Sequence, residues 1–337
     1  MRRTLHLHSL RFAISSETLD LGPFLDALYI DSALPDDVLP ATPRTTLELR
    51  VELGEPSSVP SVTERPGAVF AENNLCGGPV WFADGRFGAR IDGPYPQAIE
   101  YDPVAGRLRT VVGGEFAGDP QAVVGRVIRP LLQSFVLPFH GLASLHGALV
   151  ARDGRGVFLA GGAGAGKTTT ALAFARDGWA LLADDGPLFA LADDGAVGLS
   201  SLDYLHVSAA TLALFPELAD GVVGGRDHRG KYAVSRRPCE TQALRHPVVV
   251  DTYVQLRRDA TDRPRLRALR RAEVFRRLVA EAMTVFRASV FRDDTFATYS
   301  QWCLRLLASF SERADPFLVE FGDDDLDVIP SLVAGRS

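Results

Sequence analysis

The residues best able to carry out chemistry lie in one stretch of the chain, from Ser144 to Phe189. It contains His146 within an apolar run, then a glycine-rich loop, and then two adjacent acids, Asp184 and Asp185, after another apolar run. Backbone N–H groups and a lysine bind phosphate, while carboxylates bind Mg²⁺ or accept a proton. This order of residues therefore points to chemistry on phosphate groups.

The glycine-rich loop fits the phosphate-binding pattern G-x-x-x-x-G-K-[ST]. Glycines let the main chain fold around an anion without a Cβ in the way, and Lys167 can reach the β- and γ-phosphates of a nucleotide. The Thr168 hydroxyl can bind Mg²⁺. The residues expected to contact ATP are Gly161, Gly162, Ala163, Gly164, Ala165, Gly166, Lys167, Thr168 and Thr169. The alternative is a glycine-rich turn with a chance lysine.

The segments on either side of the loop decide between these two interpretations. Gly156–Ala160 is a short apolar run of β-formers, which predicts a buried strand. The residues after the loop have helical apolar spacing up to Gly178, a natural helix stop. A strand, a loop and a helix in this order point backbone N–H groups and a helix N-terminus at a phosphate. The context therefore favours phosphate binding.

The paired acids follow a predicted strand, Trp179–Ala183, that returns from this helix. In an open parallel α/β sheet, ligands bind at the carboxyl ends of the strands, so the loop and the acids should share one edge. One carboxylate, Asp184 in our assignment, can hold Mg²⁺ together with Thr168. The other can take a proton from an attacking hydroxyl, and which of Asp184 and Asp185 is that base stays open. The alternative for either acid is a cap on the next turn.

His146 is a third candidate, in an apolar run that is expected to form a strand. Gly147 beside it permits close approach of another chain segment. The residues alone leave open whether His146 is a hydrogen-bonded core residue or part of a site.

Together these motifs resemble a known family. The segments L-H-G-A-L-V, G-x-x-x-x-G-K-T and L-L-A-D-D, from Leu145 to Asp185, are similar to the HPr kinase/phosphorylase family and to related kinases of peptide-biosynthesis clusters, whose core resembles that of ATP-dependent PEP carboxykinase. The resemblance implies that Asp184 and Asp185 serve Mg²⁺ binding and base catalysis on a serine hydroxyl, with His146 beside them. A second family motif, of the type Glu-x-Arg-Gly-Leu-Gly, has no counterpart here, so neither HPr as substrate nor the phosphorylase reaction is implied.

The composition limits the classes of protein to which the chain can belong. The chain has 337 residues, 46% hydrophobic and 23% charged, with a net charge of −6, which is typical of a globular protein and not of a polyanion-binding one. Because the net charge is negative, no nucleic-acid partner is expected, and because no run of eighteen apolar residues is present, no membrane partner is expected. Three distant cysteines, Cys76, Cys239 and Cys303, indicate a reducing compartment, which we take as cytoplasmic.

The predicted fold is an α/β P-loop kinase domain, similar to the HPr kinase C-terminal domain and PEP carboxykinase, preceded by a smaller β-rich domain. Residues 1–118 show strand-like alternation at Leu5–Ile14 and Thr45–Leu53 and hairpin signals at Asp84-Gly85 and Gly106, which predict an antiparallel sheet. Residues 119–140 predict a linking amphipathic helix with Asp119 as its N-cap. Residues 141–337 form the predicted kinase domain.

A basic segment follows the acids, and its role stays open. Residues 224–238 contain five cations, of which Lys231, just before a predicted strand, is the best candidate for stabilising a transferring phosphoryl group. The alternative is a solvated surface loop. Further on, the patterns predict a strand at Pro247–Leu256, helices at 270–286 and 302–310, and a last strand at Phe317–Phe321.

The sequence therefore predicts an ATP-dependent kinase that uses Mg²⁺ and acts on a serine-type hydroxyl of a peptide or protein. Two alternatives stay open: a kinase for an amino acid, sugar or other small alcohol, and an ATP-binding switch or assembly module that transfers no phosphate. The site residues for either kinase are Asp184, Asp185, His146, Lys167 and Lys231. Kinases that resemble this family often form homo-oligomers, although no interface is legible in the sequence.

Overall fold

The chain forms a mixed α/β structure with several sheets in this computed structural model. The structure describes residues 1–335 except 9, 24, 26–31, 34–44, 60–68, 74–77, 84, 92–95, 120–121, 129–131, 133–135, 193–194, 201–203, 227–229, 236–245, 260–262 and 286–293. The chain divides into two compact units. The first comprises Met1–Ala143 with Ala282–Trp302, and the second comprises Ser144–Glu281 with Cys303–Ser337.

The first unit contains one mixed sheet of nine described strands in the order β3-β1-β2-β4-β9-β8-β7-β6-β5. The strands are β1 (Arg2–His8), β2 (Leu10–Ser15), β3 (Ser32–Ala33), β4 (Thr45–Leu53), β5 (Val69–Asn73), β6 (Gly78–Ala83), β7 (Arg86–Ile91), β8 (Gln97–Asp102) and β9 (Arg107–Val112).

Two predictions for this sheet were wrong in detail. The strand predicted at Leu5–Ile14 is two antiparallel strands, β1 and β2, in which Leu5 pairs with Phe12. The sheet is also not wholly antiparallel, because β4 runs parallel to both β2 and β9. Parallel neighbours need distant segments to pair, and local alternation carries no information about such pairing. The strand Thr45–Leu53 and the hairpins β6–β7 and β8–β9 are confirmed, with Gly85 and Gly106 at positive φ in their turns.

The segment predicted as a linking α-helix differs from that prediction. Val123–Ile128 forms a π-helix and Leu137–His140 a 3₁₀-helix, while Pro130 lies outside the described residues. The segment is rich in β-branched residues, which crowd an α-helix, and Val123, Val124, Val127 and Ile128 are all buried. Asp119 does act as a cap, since its Oδ1 accepts a hydrogen bond from the Ala122 N–H at 2.9 Å.

The second unit is built on another mixed sheet. The strands that follow β9 in the chain are β10 (Ala143–Ser144), β11 (Ala148–Arg152), β12 (Arg155–Ala160), β13 (Ala180–Asp184), β14 (Leu188–Ala192), β15 (Gly195–Leu199), β16 (Leu205–Val207), β17 (Val222–Arg226), β18 (Tyr232–Val234), β19 (Val248–Arg258), β20 (Arg265–Ala268) and β21 (Asp315–Phe321). The α-helices whose bounds lie within the described part of the chain are α1 (Lys167–Arg176), α2 (Ala209–Leu214), α3 (Arg271–Val285), α4 (Asp294–Arg313) and α5 (Ile329–Ala334).

The order of neighbours in this sheet is β14-β15-β19-β12-β11-β13, and β21 pairs with β19 and β20. β12, β19 and β21 are parallel to one another, whereas β11 is antiparallel to both β12 and β13. The sheet is therefore mixed and not the all-parallel sheet that the sequence suggested. The predicted strands at Gly156–Ala160, Trp179–Ala183, Pro247–Leu256 and Phe317–Phe321 and the helix after the loop are confirmed, with boundaries within about two residues.

Both faces of this sheet are covered, as the alternation along β12 requires. Val157 and Leu159 face a cluster of buried residues that includes Phe174 of α1. Phe158, between them, packs against Phe189, Tyr253 and Phe310 in edge-on or tilted ring contacts. Aromatic rings prefer such offset arrangements, so the rings pack β12 firmly on one face of the sheet. With α1 packed on the other face, the end of β12, where the loop begins, is held from both sides.

The basic segment contains the end of β17 and all of β18, and its residues 236–238 lie outside the described residues. β17 and β18 pair antiparallel in a three-stranded sheet with β16, so the strand start predicted after Lys231 is confirmed, while residues 227–229 lie outside the described residues. Arg226 lies over the ring of Tyr232, and its Nε donates to the Tyr232 hydroxyl at 2.9 Å. Among the described helices, none combines the length and apolar character needed to cross a bilayer.

Candidate active site

Three neighbouring strands bring the predicted site residues to one edge of the second sheet. β12 ends at Ala160 and leads into the loop, and β13 ends at Asp184. β11 runs the opposite way, and its first residue, Ala148, pairs with both Leu159 and Asp184. Because β11 is antiparallel, His146 lies just before its start at the edge where its two neighbours end. The mixed topology thus gathers the loop, the acids and the histidine.

The loop needs glycine at two of its positions. A Cβ on Gly161 would lie 2.8 Å from the Cβ of Ala165 and 3.0 Å from the carbonyl oxygen of Leu256. Gly166 has φ +87°, a left-handed conformation, and helix α1 begins directly after it. The chain therefore turns sharply into α1, so that the helix N-terminus faces the concave side of the loop.

Lys167 folds back over the loop. Its Nζ donates hydrogen bonds to the carbonyl oxygens of Gly161 at 2.8 Å and Gly162 at 3.2 Å. Burial lowers the pKa of Lys167, and the charges of Asp185, Glu281 and Asp184 act in the opposite direction. The ammonium is thus partly desolvated and is held among acids and carbonyls, which makes it ready to bind a phosphate oxygen.

Asp184 joins the start of α1 to the end of β13. Its Oδ1 accepts a hydrogen bond from the Thr168 hydroxyl at 2.9 Å, and its Oδ2 accepts one from the His206 N–H at 3.1 Å. The side chain is 1% exposed. Burial, and secondarily the charge of Asp185, raises the pKa of Asp184 to about 6, although both hydrogen bonds and Lys231 oppose this. A nearby cation would stabilise this buried carboxylate.

Asp185 and His146 form a close pair. The Nδ1 of His146 lies 2.6 Å from the Oδ1 of Asp185, and the two side chains are 51% and 24% exposed. His146 is therefore not a core residue. A Cβ on the adjacent Gly147 would lie 2.2 Å from the ring of Phe158, so only glycine fits there. Asp185 has φ +58°, an uncommon conformation for a residue with a side chain.

Glu281 also belongs to this group, and the sequence patterns did not single it out. It lies on α3, where its carboxylate accepts a hydrogen bond from the backbone N–H of His146. Burial raises the pKa of Glu281, and the charges of His146 and Lys167 oppose that effect. We call His146, Asp184, Asp185 and Glu281 the acid flank of the loop. Glu281 lies in an ordinary amphipathic helix pattern, so no local signal could have identified it.

Two other predicted residues, Lys231 and Thr169, differ in their relation to the acid flank. Lys231, next to β18, acts on the acid flank through its charge, since it lowers the pKa of both Asp184 and Lys167. The Thr169 side chain faces away from the loop edge, because its buried hydroxyl lies 3.1 Å from that of Thr211 on α2. Thr169 would therefore contact a phosphate through its backbone N–H and not through its side chain.

A cavity lies on the side of the loop away from the acid flank, toward β19 and β21. It has a volume of about 370 Å³. Four arginines, from three different elements, contribute to its wall, and we call it the arginine cavity. Its lining residues are Gly162, Ala163, Gly164, Ala165, Gln255, Leu256, Arg257, Arg258, Arg267, Arg277 and Leu318. No acidic side chain is among these described lining residues.

Thr168 and the acid flank together offer oxygen ligands of the type that Mg²⁺ prefers. The Thr168 hydroxyl and the Asp184 carboxylate lie within hydrogen-bond distance, and the carboxylate is buried with a raised pKa. The described residues hold no group of three or more His, Cys, Asp or Glu side chains arranged to bind a metal. Mg²⁺ bound with a nucleotide usually takes one or two protein oxygens and completes its shell with phosphate and water. The donor set therefore fits Mg²⁺ held jointly with a phosphate.

No protein-family model matches the sequence, and no curated protein matches it. Among solved structures, the chain is similar to the HPr(Ser) kinase/phosphatase from Coxiella burnetii, with 14% sequence identity and a TM-score of 0.30. That similarity covers 57% of this chain and 95% of the other. A similarity this weak supports no inference about activity, so the function must come from the geometry of the site.

Proposed function

We propose that this chain is an ATP-dependent phosphotransferase that moves the γ-phosphoryl group of Mg·ATP to a serine-type hydroxyl of a peptide or protein. One observation carries the proposal. Lys167, the Thr168–Asp184 pair and the Asp185–His146 pair all stand at one edge of the sheet, beside a glycine-rich loop that opens helix α1. Phosphoryl transfer needs this combination of a phosphate cradle, a cation site and a base.

In this proposal the loop and α1 hold the triphosphate. Backbone N–H groups of Gly162 to Thr168 surround the β-phosphate, and the partial positive charge at the start of α1 favours the anion. Lys167 exchanges its two carbonyl partners for oxygens of the β- and γ-phosphates. Because the ammonium is partly buried, its charge is poorly screened and acts strongly on the negative charge of the transferring group.

Asp184 and Thr168 would hold Mg²⁺, directly or through water. When bound, the ion neutralises phosphate charge and orients the β- and γ-phosphate oxygens. Asp184 suits this role better than the role of base. It is buried, and both of its oxygens already accept hydrogen bonds, which fix their direction. We therefore propose Asp184 as the Mg²⁺ ligand, as in the sequence-based assignment, and Asp185 as the base, a choice that the sequence left open.

Asp185 would act as the base, because its side chain is partly exposed and lies beside Asp184. Its carboxylate takes the proton from the acceptor hydroxyl while that oxygen forms a bond to the γ-phosphorus. The bond between the γ-phosphorus and the β,γ-bridging oxygen breaks, and ADP leaves. His146, with Nδ1 at 2.6 Å, orients the Asp185 carboxylate and can share the proton. Support for serine in a peptide or protein comes from the motif resemblance alone.

The direct test is mass spectrometry of acceptors incubated with the protein and Mg·ATP. The panel holds an HPr-like protein, peptides with internal or terminal serine, free serine and simple sugars. We expect a phosphate-sized mass gain on a peptide or protein, lost with Asp185→Asn and kept with Asp220→Asn, an exposed acid in the same unit. A gain on serine or a sugar alone would indicate a small-molecule kinase. ATP hydrolysis without any gain would indicate a nucleotide-driven switch.

A further inference from the structure

Three hydroxyl groups in the second unit link helix α2 to helix α1. The Oγ1 of Thr169 lies 3.1 Å from the Oγ1 of Thr211, which in turn lies 2.9 Å from the Oγ of Ser208. Thr169 and Thr211 are 5% and 6% exposed, so water competes little for these hydrogen bonds. Because a buried hydroxyl without a partner keeps the full cost of its desolvation, the three groups hold the two helices at a defined distance. We call them the hydroxyl chain.

Both ends of the hydroxyl chain lead to the Asp184 carboxylate. At one end, Thr168 precedes Thr169 and donates its hydroxyl to the Oδ1 of Asp184 at 2.9 Å. At the other end, Ser208 caps α2 and directly follows β16, in which the N–H of His206 donates to the Oδ2 of Asp184 at 3.1 Å. The contacts therefore close a ring through Asp184, Thr168, Thr169, Thr211, Ser208 and His206. Because the ring is closed, the hydroxyl chain and the carboxylate constrain each other's position.

Helix α2 has a second attachment to α1, at the end of α1 away from the loop. Arg176 lies seven residues after Thr169 and therefore on the same face of α1. Its Nη2 donates to the carbonyl oxygen of Leu214 at 2.8 Å, and its guanidinium lies over the ring of Phe215, 4.2 Å from the ring centroid. The hydroxyl chain is therefore not needed to attach α2. What it determines is the position of the start of α2, where β16 ends.

We propose that Thr211 is a positioning residue, whose hydroxyl fixes the start of α2 and thereby the His206 N–H that sets the direction of the Asp184 carboxylate for Mg²⁺ binding. The inference rests on the proposed function, in which Thr168 and Asp184 hold the ion. Partners in the outer shell of a metal site act in this way, because they fix a ligand that would otherwise rotate. Thr211 itself contacts neither the ion nor the nucleotide in this proposal, so its effect passes through the hydrogen bonds of the ring.

Amide hydrogen exchange of the protein without ligands, followed by NMR, tests the geometry of the ring. Thr211→Val removes the hydroxyl and keeps the shape of the side chain. We expect the His206 N–H to exchange about tenfold faster in this variant, whereas the Phe158 N–H of β12 follows only the change in global stability. Thr211→Ser keeps a hydroxyl for both neighbours and should restore the exchange rate of the wild type.

Calorimetric titration of Mg²⁺ into the protein with one equivalent of ADP tests the consequence for the ion. Loss of an outer partner of a metal ligand weakens metal binding about tenfold to a hundredfold, and Thr211 lies one contact further out. We therefore expect Thr211→Val to weaken Mg²⁺ binding about fivefold. Thr252→Val is the matched control, because Thr252 on β19 is 3% exposed and its hydroxyl donates to Asp251 at 3.0 Å, outside the hydroxyl chain. It should keep the Mg²⁺ affinity and the His206 exchange of the wild type.

Three results would overturn the inference: His206 exchange or Mg²⁺ affinity of the wild type in Thr211→Val, equal losses in Thr252→Val, and no recovery in Thr211→Ser. Ser208→Ala removes a half-buried link of the hydroxyl chain and carries the same expectation if Thr211→Val does not fold. Phosphoryl transfer with an Mg²⁺ affinity that is independent of Thr211 would contradict the inference and leave the proposed function intact. By contrast, Mg²⁺ binding that depends on Thr211, with no transfer to any acceptor, would contradict the proposed function and leave this inference intact.

Discussion

The two sides of the glycine-rich loop differ in how their charged groups are held. On the acid flank, Asp184 and Asp185 each have close partners, and Asp184 is buried. In the arginine cavity, Arg267 is an exposed side chain on a short strand. Groups fixed in a low-dielectric setting can act on a reacting centre, whereas mobile exposed cations serve to attract and hold. In the proposed function, the acid flank would therefore supply the reacting groups, whereas the exposed cation of the arginine cavity is placed to attract charge from solvent.

The largest effect should come from Asp185→Asn, which removes the proposed base and keeps the size of the side chain. We expect phosphoryl transfer to fall about 10³-fold, the range for loss of a general base, while ATP affinity changes less than threefold. Single-turnover transfer and calorimetric binding measure the two quantities. A transfer rate within tenfold of the wild type would contradict the assignment, as would a loss confined to ATP binding.

The next effect concerns Asp184 and stability without ligand. Its pKa is about 6 in the folded protein and near 3.8 as a free side chain, so the folded state binds the proton more tightly. The free energy of unfolding of the wild type should therefore fall by about 3 kcal/mol as pH rises from about 4 to about 6 and beyond. The Asp184→Asn variant lacks this titration, so its free energy of unfolding should rise relative to that of the wild type over that pH range. Urea unfolding at several pH values, with Asp220→Asn as control, measures it. A constant difference between Asp184→Asn and the wild type would refute the prediction.

Gly166→Ala should have a smaller effect, which is a loss of stability of the folded chain. Its left-handed φ of +87° costs about 1 kcal/mol for alanine, and the new methyl would lie 3.3 Å from the ring of Phe321. Gly178→Ala is the control at the other end of α1, with φ +88° and nothing within 4 Å. We expect about 2 kcal/mol of destabilisation for Gly166→Ala and about 1 kcal/mol for Gly178→Ala by denaturant unfolding. Equal losses would mean that the Phe321 contact is harmless.

The smallest effect should come from Glu281→Gln. Glutamine keeps an oxygen for the His146 N–H but loses the charge that raises the pKa of Lys167. Lys167 should then lose its proton at a lower pH, so the alkaline limb of the rate profile moves to lower pH. Glu312→Gln, an exposed acid of α4, is the control. An unmoved alkaline limb would show that Glu281 only supports the backbone of His146.

The sequence predicted the acid flank well where its parts are close along the chain. From Leu145 to Asp185, the strand, the loop, the helix and the acids each have local signals, and short connections leave few ways to arrange them. The sequence also left His146 open between core and site, and its 51% exposure and contact with Asp185 exclude the core. The roles of these residues in catalysis stay predictions.

Local patterns could not find what distant segments contribute. Glu281 and Arg277 lie on α3 as ordinary charged positions of an amphipathic helix, and only packing brings that helix to the loop edge. The parallel partners of β4 in the first unit were missed for the same reason, since alternation predicts a strand but not its neighbour. Sequence therefore located the proposed reacting groups and not the groups that surround them.

The antiparallel strand β11 has a consequence for the order of folding. β11 and β12 are joined by a two-residue turn, Asp153-Gly154, and β13 follows within the same short segment. These contacts close small loops, whereas β19 lies much later in the chain and pairs with β12, for example Tyr253 with Phe158. Because short loops close at a lower entropic cost, the backbone from His146 to Asp185 should form before the arginine cavity and before Glu281 joins the acid flank. Pulse-labelled hydrogen exchange would then detect protection in β11 and β12 earlier than in β19.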